Sequence, residues 1–293
     1  MLGITGQLQD SQVEQSTQQL QQDDPDIIVV ANSPQPEYDD ELLQKVDIMR
    51  HCQSSSSLEE FIKNIHLSSE DLANIERLTT DQSKCTLWGA ARKGRITASN
   101  FYRVYTKVET MKKNPNTGYE ALLKSLIDPP PLGHLTHIQH GVDSEATAIE
   151  QVITLLRDAG HQQVNVQSCG LFIDPKHQYL GASPDGVISC ECCGRMLLEI
   201  KSPSTDQPSC LGKDGKLKKK HIYFGQIQGQ MMITNIRKCI FFVYYANISL
   251  SRMEVVMYDE SFCTSLRSNL CSFYEQCMAP SIINSLNKKR KLI

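Results

Sequence analysis

The chain has 293 residues, 40% hydrophobic and 22% charged, with a formal net charge of -3 at pH 7. That balance belongs to a soluble globular protein, long enough for one large domain or two small ones. A net negative charge means that any affinity for nucleic acid must come from a local basic surface. The opening MLGITGQLQDSQ has neither the basic nor the apolar segment of a signal peptide. No stretch reaches the roughly 18 apolar residues of a membrane span. Eleven cysteines, an odd number without a secretory signal, read as reduced thiols inside the cell.

Residues 1–40 are rich in Gln, Ser and Asp and have no aromatic residue before Tyr38. They read as a disordered tail. Inside it, Asp23-Asp24-Pro25-Asp26 precedes the β-prone run Ile27-Ile28-Val29-Val30. This island resembles a SUMO-interacting motif, which adds a strand to a partner's sheet edge. The partner it implies is SUMO or a SUMO-modified protein. Residues 41–84 turn helical. Glu41 to Met49 suggests one helix, the serines at 54–57 break it, and Leu58 begins another. Ser68-Ser69-Glu70-Asp71 is a capping sequence before Leu72, Ile75 and Leu78.

Arg92, Lys93 and Arg95 place three cations in four positions near Trp88, the only tryptophan. Thr97 or Ser99 is a candidate cap for a helix through Phe101, Val104 and Tyr105. A capped helix start beside arginine is an anion site, although a solvated basic turn reads the same way. A short helix over 119–127 follows, closed by Pro129-Pro130-Pro131. A stronger one begins near His140, with Ala146, Ile149, Val152, Ile153 and Leu156 at helical spacing and Gly160 past its end. Glu145 sits in its first turns, where the helix dipole favours a carboxylate in any case.

Val164 to Ile173 reads as a strand pair or a bent strand. Ser183-Pro184-Asp185-Gly186 and Leu198-Glu199-Ile200-Lys201 then follow. Alternation along a strand puts Glu199 and Lys201 on one face and Ile200 on the other, toward the core. If the run 179–188 pairs with 196–202 through a turn at Cys193-Gly194-Arg195, Asp185 lies across from Glu199. Two close carboxylates repel and a cation relieves them; oxygen ligands suit Mg2+ or Mn2+. The turn holds Cys190-Glu191-Cys192-Cys193. Three cysteines in four positions, with Cys169 and Cys210 nearby in sequence, suggest zinc; structural zinc sites usually use two spaced ligand pairs and the second C-x-x-C is missing, so reduced turn cysteines are the stronger of the two readings.

The polar stretch 203–221 ends in Lys218-Lys219-Lys220-His221. It is either a phosphate-holding cluster or a solvated loop. Ile222 to Thr234 reads as a helix with Gln226 and Gln230 on one face and Ile227 and Met231 on another. On spacing alone these glutamines are simply exposed. Lys238 to Tyr245 and Arg252 to Tyr258 read as paired strands, and 260–287 as a final amphipathic helix. The basic run Lys288-Lys289-Arg290-Lys291 within 288–293 fits a nuclear import signal or a nucleic-acid tail, so a nuclear setting is expected.

Helix with Glu, strand with Asp, strand with Glu-x-Lys, then helix with Gln resembles the PD-(D/E)XK nuclease superfamily. More narrowly, residues 85–287 resemble the lambda exonuclease-like, YqaJ-type viral recombinase family. The pieces are Trp88 with Arg92-x-Gly94-x-Ile96-Thr97-Ala98-Ser99; Gly141 with Glu145; Ser183-Pro184-Asp185-Gly186; Glu199-Ile200-Lys201; and Gln226-x-Gln228 before Met231. The resemblance implies an α/β fold of restriction-endonuclease type, a mixed β-sheet flanked by helices, behind a helical N-terminal extension. It implies a Mg2+-dependent exonuclease acting on linear duplex DNA from 5′-phosphate ends. In that scheme Asp185, Glu199, the Ile200 carbonyl and Glu145 serve the metal. Lys201 orients or deprotonates the attacking water, and Gln226 positions it. Arg92 and Ser99 match the terminal-phosphate positions, with Arg95 as a second candidate. An endonuclease or a nuclease of other polarity with the same fold, or an inactive DNA-binding scaffold, is the alternative. A homo-oligomer is expected only from a ring-shaped trimer in the family.

Overall fold

The structure, a computed structural model, describes residues 40–51, 55, 57–128, 136–203, 205 and 208–290, leaving aside the side chains of 136–143 and 285–290. The apolar island Ile27–Val30 and the basic side chains of Lys288–Lys291 lie outside what is described.

Four short helices open the described chain: α1 (Asp40–Val46), α2 (Ile48–His51), α3 (Leu58–Asn64) and α4 (Ser69–Leu78). The expected cap starts α4. Ser68 Oγ accepts from Asp71 N at 3.0 Å, and Ser68 N donates back to Asp71 Oδ2 at 3.1 Å. Leu42, Ile75 and Leu78 share an apolar cluster with Leu87, Leu171 and Ile173. The buried amide of Gln178 also clamps Leu67, accepting from its N at 2.6 Å and donating to its O at 2.9 Å. Next come α5 (Thr86–Arg92), β1 (Ile96–Thr97), α6 (Ala98–Lys113), α7 (Glu120–Ile127) and α8 (Thr136–Asp158). Trp88 and Arg92 thus lie on a helix, four apart on one face, where the sequence suggested a turn.

The strands follow: β2 (Asn165–Gln167), β3 (Phe172–Ile173), β4 (Leu180–Ala182), β5 (Gly186–Cys190) and β6 (Gly194–Lys201). The run 179–188, expected as one hairpin arm, is two strands. β4 joins β1 and β3 in a three-stranded sheet, and β5 begins a second one. Pro184 lies in the break, because proline has no N–H for a ladder. The chain ends with α9 (Ile222–Thr234), β7 (Lys238–Val243), β8 (Arg252–Met257), α10 (Glu260–Phe273) and α11 (Ala279–Arg290). A π turn over Tyr274–Met278 joins the last two, which the sequence read as one helix.

The larger sheet has the order β2-β5-β6-β7-β8, with β6 and β7 parallel and the other pairs antiparallel. Alternation sorts its side chains. Ile188, Leu198, Ile200, Ile240 and Phe242 pack against Ala148, Val152 and Leu156 of α8. Val187, Leu197, Cys239, Phe241 and Val243 pack against Phe224, Ile227 and Met231 of α9. Glu199 and Lys201 continue this second set, so they face α9. The result is the expected mixed sheet flanked by helices. Among the described residues no helix is long and apolar enough to cross a membrane.

The helix α9 is held in place by close approach to α6. A Cβ at Gly229 would come within 2.2 Å of Phe101 Cδ2. Gly229→Ala is therefore expected to cost about 2 kcal/mol by overpacking, despite alanine's better helix propensity. Gly89→Ala, which meets nothing within 4 Å, should instead gain about 0.5–1 kcal/mol. Denaturant midpoints of the two variants check both signs.

Candidate active site

The register of β5 and β6 pairs Gly186 with Leu198, which sets Asp185 opposite Glu199. Asp185 N still donates to Leu198 O at 3.1 Å. Beyond it the β5 ladder stops at Pro184, and Ile200 N donates to the Asp185 carboxylate at 2.6 Å instead. A strand residue presents its N–H and C=O to the same side. The Ile200 carbonyl therefore faces the Asp185 side, while Lys201 O accepts from Tyr244 N on the other side at 2.8 Å. Gln82 steadies this break by donating to Pro184 O at 2.8 Å and Cys169 O at 3.1 Å.

Glu199 is 0% exposed. Its Oε1 accepts from Lys201 Nζ and from Gln226 Nε2, the latter at 2.6 Å. Its Oε2 accepts from Gln230 Nε2 at 2.6 Å. The spacing of four put both glutamines on one face, yet suggested exposure; Gln230 is 0% exposed and belongs to the site. Gln230 Oε1 is buried with no hydrogen-bond partner among the described residues. Lys201 Nζ stands 4.9 Å from the Tyr223 ring centroid. Tyr223 was also missed, because nothing in sequence ties it to Lys201.

Burial and the nearby Glu199 charge hold the Asp185 carboxyl well above the usual carboxylate range. Glu145 is raised by burial and by Glu199, with Lys84 and Lys201 pulling the other way. Burial works to lower Lys201, but the Glu199 and Asp185 charges outweigh it and raise the lysine. Three carboxylates thus feel one another in a poorly solvated corner, which is the condition that a hard cation relieves. Oxygen donors from Asp185, Glu199 and the Ile200 carbonyl fit Mg2+ or Mn2+.

Of the basic candidates, Arg92 lies over the Trp88 ring at 4.1 Å from its centroid. Trp88 Nε1 donates to Ser183 Oγ at 2.9 Å, which links this cation to the Asp185 segment. The Arg92 guanidinium has no hydrogen-bond or ion-pair partner among the described residues, and burial lowers its pKa to about 10. Ser99 is exposed in the first turn of α6, its Oγ 3.3 Å from Thr97 Oγ1, and Thr97 makes no capping bond. The expected capped anion site therefore lacks its side-chain cap.

Arg95 requires a correction. It is 3% exposed, and its guanidinium donates to the backbone carbonyls of Gln178 and Val46 at 2.8 Å and Ala91 at 2.5 Å. A phosphate cannot reach a side chain already committed to three interior carbonyls. Lys218, Lys219 and Lys220 are all exposed. Lys218 Nζ donates to Ser209 O at 2.8 Å, and Lys219 pairs with Asp259 at 3.6 Å. Exposed ion pairs of this kind are weak and leave the cations free to be recruited.

The YqaJ-like viral recombinase domain family matches residues 87–237, just over half of the chain. No curated protein matches significantly. Among solved structures, an alkaline exonuclease (LHK-Exo) from Laribacter hongkongensis is 25% identical, covering 70% of this chain and 98% of its own, with a TM-score of 0.53. The shutoff and exonuclease protein from Kaposi's sarcoma-associated herpesvirus is 12% identical, covering 83% of this chain and 81% of its own, with a TM-score of 0.50. The second likeness is one of fold alone. The matched span contains Arg92, Glu145, Asp185, Glu199, Lys201 and Gln226. This chain is a member of the YqaJ-like viral recombinase domain family.

Proposed function

We propose that the protein is a divalent-metal-dependent deoxyribonuclease, an exonuclease that removes nucleotides from linear duplex DNA beginning at 5′ ends. The observation that carries this reading is Glu199, a fully buried carboxylate bonded by Lys201, Gln226 and Gln230 and set across the hairpin from Asp185. Burying such a charge beside like charges is costly, and that cost clusters at functional sites. Family membership supports the same chemistry, and the relative at 25% identity is an alkaline exonuclease.

Asp185, Glu199 and the Ile200 carbonyl would hold the cation, Mg2+ or Mn2+, with Glu145 close enough to add charge. When bound, it supplies an acidified water and charge relief at the phosphate oxygens. Gln226 and Gln230 donate to opposite oxygens of Glu199 and so fix the plane of that carboxylate. Lys201 Nζ, steered by Glu199 and the Tyr223 ring, orients the attacking water and handles its proton. Its own proton is held by the two carboxylates, so release requires their charge to be shared with a cation. Arg92, with no acceptor among the described residues and tied through Trp88 to Ser183, offers its fork to a terminal phosphate. A nuclear setting and a SUMO-type partner are carried by Lys288–Lys291 and Ile27–Val30 in the sequence.

The discriminating experiment compares linear duplexes bearing 5′-phosphate or 5′-hydroxyl ends with a closed circular duplex. Linear DNA should be consumed and the circle should survive; nicking of the circle would overturn the exonuclease reading. Arg92→Ala should slow digestion of 5′-phosphorylated ends by about tenfold to a hundredfold, the worth of a charge-assisted hydrogen bond. Digestion from 5′-hydroxyl ends should barely change. Equal loss on both ends would remove Arg92 from phosphate recognition.

A further inference from the structure

The β5–β6 hairpin turns at the end opposite Asp185 and Glu199. Cys190 and Gly194 are its last pair, with Glu191, Cys192 and Cys193 forming the loop. Gly194 adopts φ 70, the left-handed conformation that closes a three-residue hairpin loop. This turn folds the sulfurs of Cys190, Cys192 and Cys193 toward one point. A fourth donor arrives from α8. That helix ends in Gly160 at φ 88, with Gly160 N donating to Arg157 O at 2.9 Å and His161 N to Leu156 O at 3.0 Å. The pair of bonds is a Schellman motif, and it locks His161 just past the helix.

The four donor atoms, His161 Nδ1 and the three sulfurs, all lie within 4.8 Å of one another. Sulfur-to-sulfur distances are 3.7 Å for Cys190–Cys192 and 3.7 Å for Cys192–Cys193. From His161 Nδ1 to Cys192, Cys193 and Cys190 the distances are 3.1, 3.5 and 3.8 Å. A tetrahedron built on Zn–S of about 2.3 Å and Zn–N of about 2.05 Å has edges of roughly 3.8 Å between sulfurs and roughly 3.6 Å from nitrogen to sulfur. The two sulfur–sulfur edges and the His161 edges to Cys193 and Cys190 match this figure, and the His161–Cys192 edge is shorter. They are far longer than a disulfide bond, and all three cysteines are free.

The geometry points to a structural zinc site, Cys3His, formed by His161, Cys190, Cys192 and Cys193. All four positions are filled by protein donors, so the site is closed and does no chemistry on a substrate. Its position gives it a task. α8 carries Glu145, and the hairpin carries Asp185 and Glu199. A metal at this corner ties the end of α8 to the turn of the hairpin, and so fixes the two arms of the candidate active site against each other. Soft thiolates with one imidazole select zinc over the Mg2+ or Mn2+ suited to the oxygen site. His161 supplies the fourth donor that C-x-x-C spacing does not reveal.

The test is metal analysis of the full chain, purified under reducing conditions without chelators from zinc-supplemented cells, with Glu199→Gln and Cys192→Ser alongside. Cys192 is exposed, so its serine variant keeps the packing. Wild type and Glu199→Gln should each hold about one zinc per chain. Cys192→Ser and His161→Ala should hold little or none and melt at lower temperature. Co2+ added to zinc-stripped wild type should give the visible bands of a tetrahedral thiolate site, lost in Cys192→Ser. A folded wild type that carries no zinc and gives no such bands would overturn the proposal. So would zinc that persists in Cys192→Ser but disappears in Glu199→Gln, since it would then sit at the carboxylates.

Discussion

Replacing Glu199 by glutamine is expected to slow DNA cleavage on the order of a thousandfold, with DNA binding and fold retained. The size follows from what the carboxylate does. It is the most buried of the acidic site residues and is bonded by three side chains at once. Its charge would hold the cation, whose stabilisation of the transition state is worth several kcal/mol. Each 1.36 kcal/mol is tenfold in rate. Two effects on stability oppose each other. Lys201 loses its ion pair, while Asp185 and Glu145 lose a repelling neighbour. The melting temperature should therefore move by only a few degrees, and calorimetry on the same sample shows that the loss is chemical. A variant that cleaves at an unchanged rate would move the chemistry elsewhere.

The second large effect is on stability. Arg95→Met is expected to lower stability by about 3 kcal/mol, because three interior carbonyls lose their donor and each buried unsatisfied acceptor costs about 1–3 kcal/mol. Some of that is offset by removing a buried cation, whose pKa is already lowered to about 10 by burial. Methionine keeps most of the apolar volume. Arg95 joins α1, α5 and the segment before β4 through Val46, Ala91 and Gln178. Its loss should therefore loosen the N-terminal helices from the core, lowering the melting temperature by about 6–12 °C. A shift within error, with weaker DNA binding, would return Arg95 to the phosphate.

The hairpin was legible because its logic is local. Alternation alone puts Glu199 and Lys201 on one face and Ile200 on the other, and the turn at Gly194 sets Asp185 across from Glu199. The residues that were misread are those fixed by distant partners. Whether Gln230 is buried depends on Glu199, thirty-one positions away. Arg95 beside a basic turn looks solvated until the carbonyl of Gln178, eighty-three positions on, folds over it. His161 and Cys190 are twenty-nine residues apart, with no fixed spacing rule to join them. Composition and periodicity report the face on which a side chain lies, and only the tertiary fold reports what meets it there.

The most direct test of the central claim is nucleotide release. Linear, 5′-phosphorylated duplex DNA labelled along its length is incubated with the purified wild-type chain in Mg2+ and, in parallel, in excess chelator. Acid-soluble nucleotides should accumulate steadily in Mg2+ and not in chelator, and Glu199→Gln should release almost none. A folded wild type that releases nothing in Mg2+ or Mn2+, or that releases equally in chelator, would contradict a metal-dependent nuclease site at Asp185, Glu199 and Lys201.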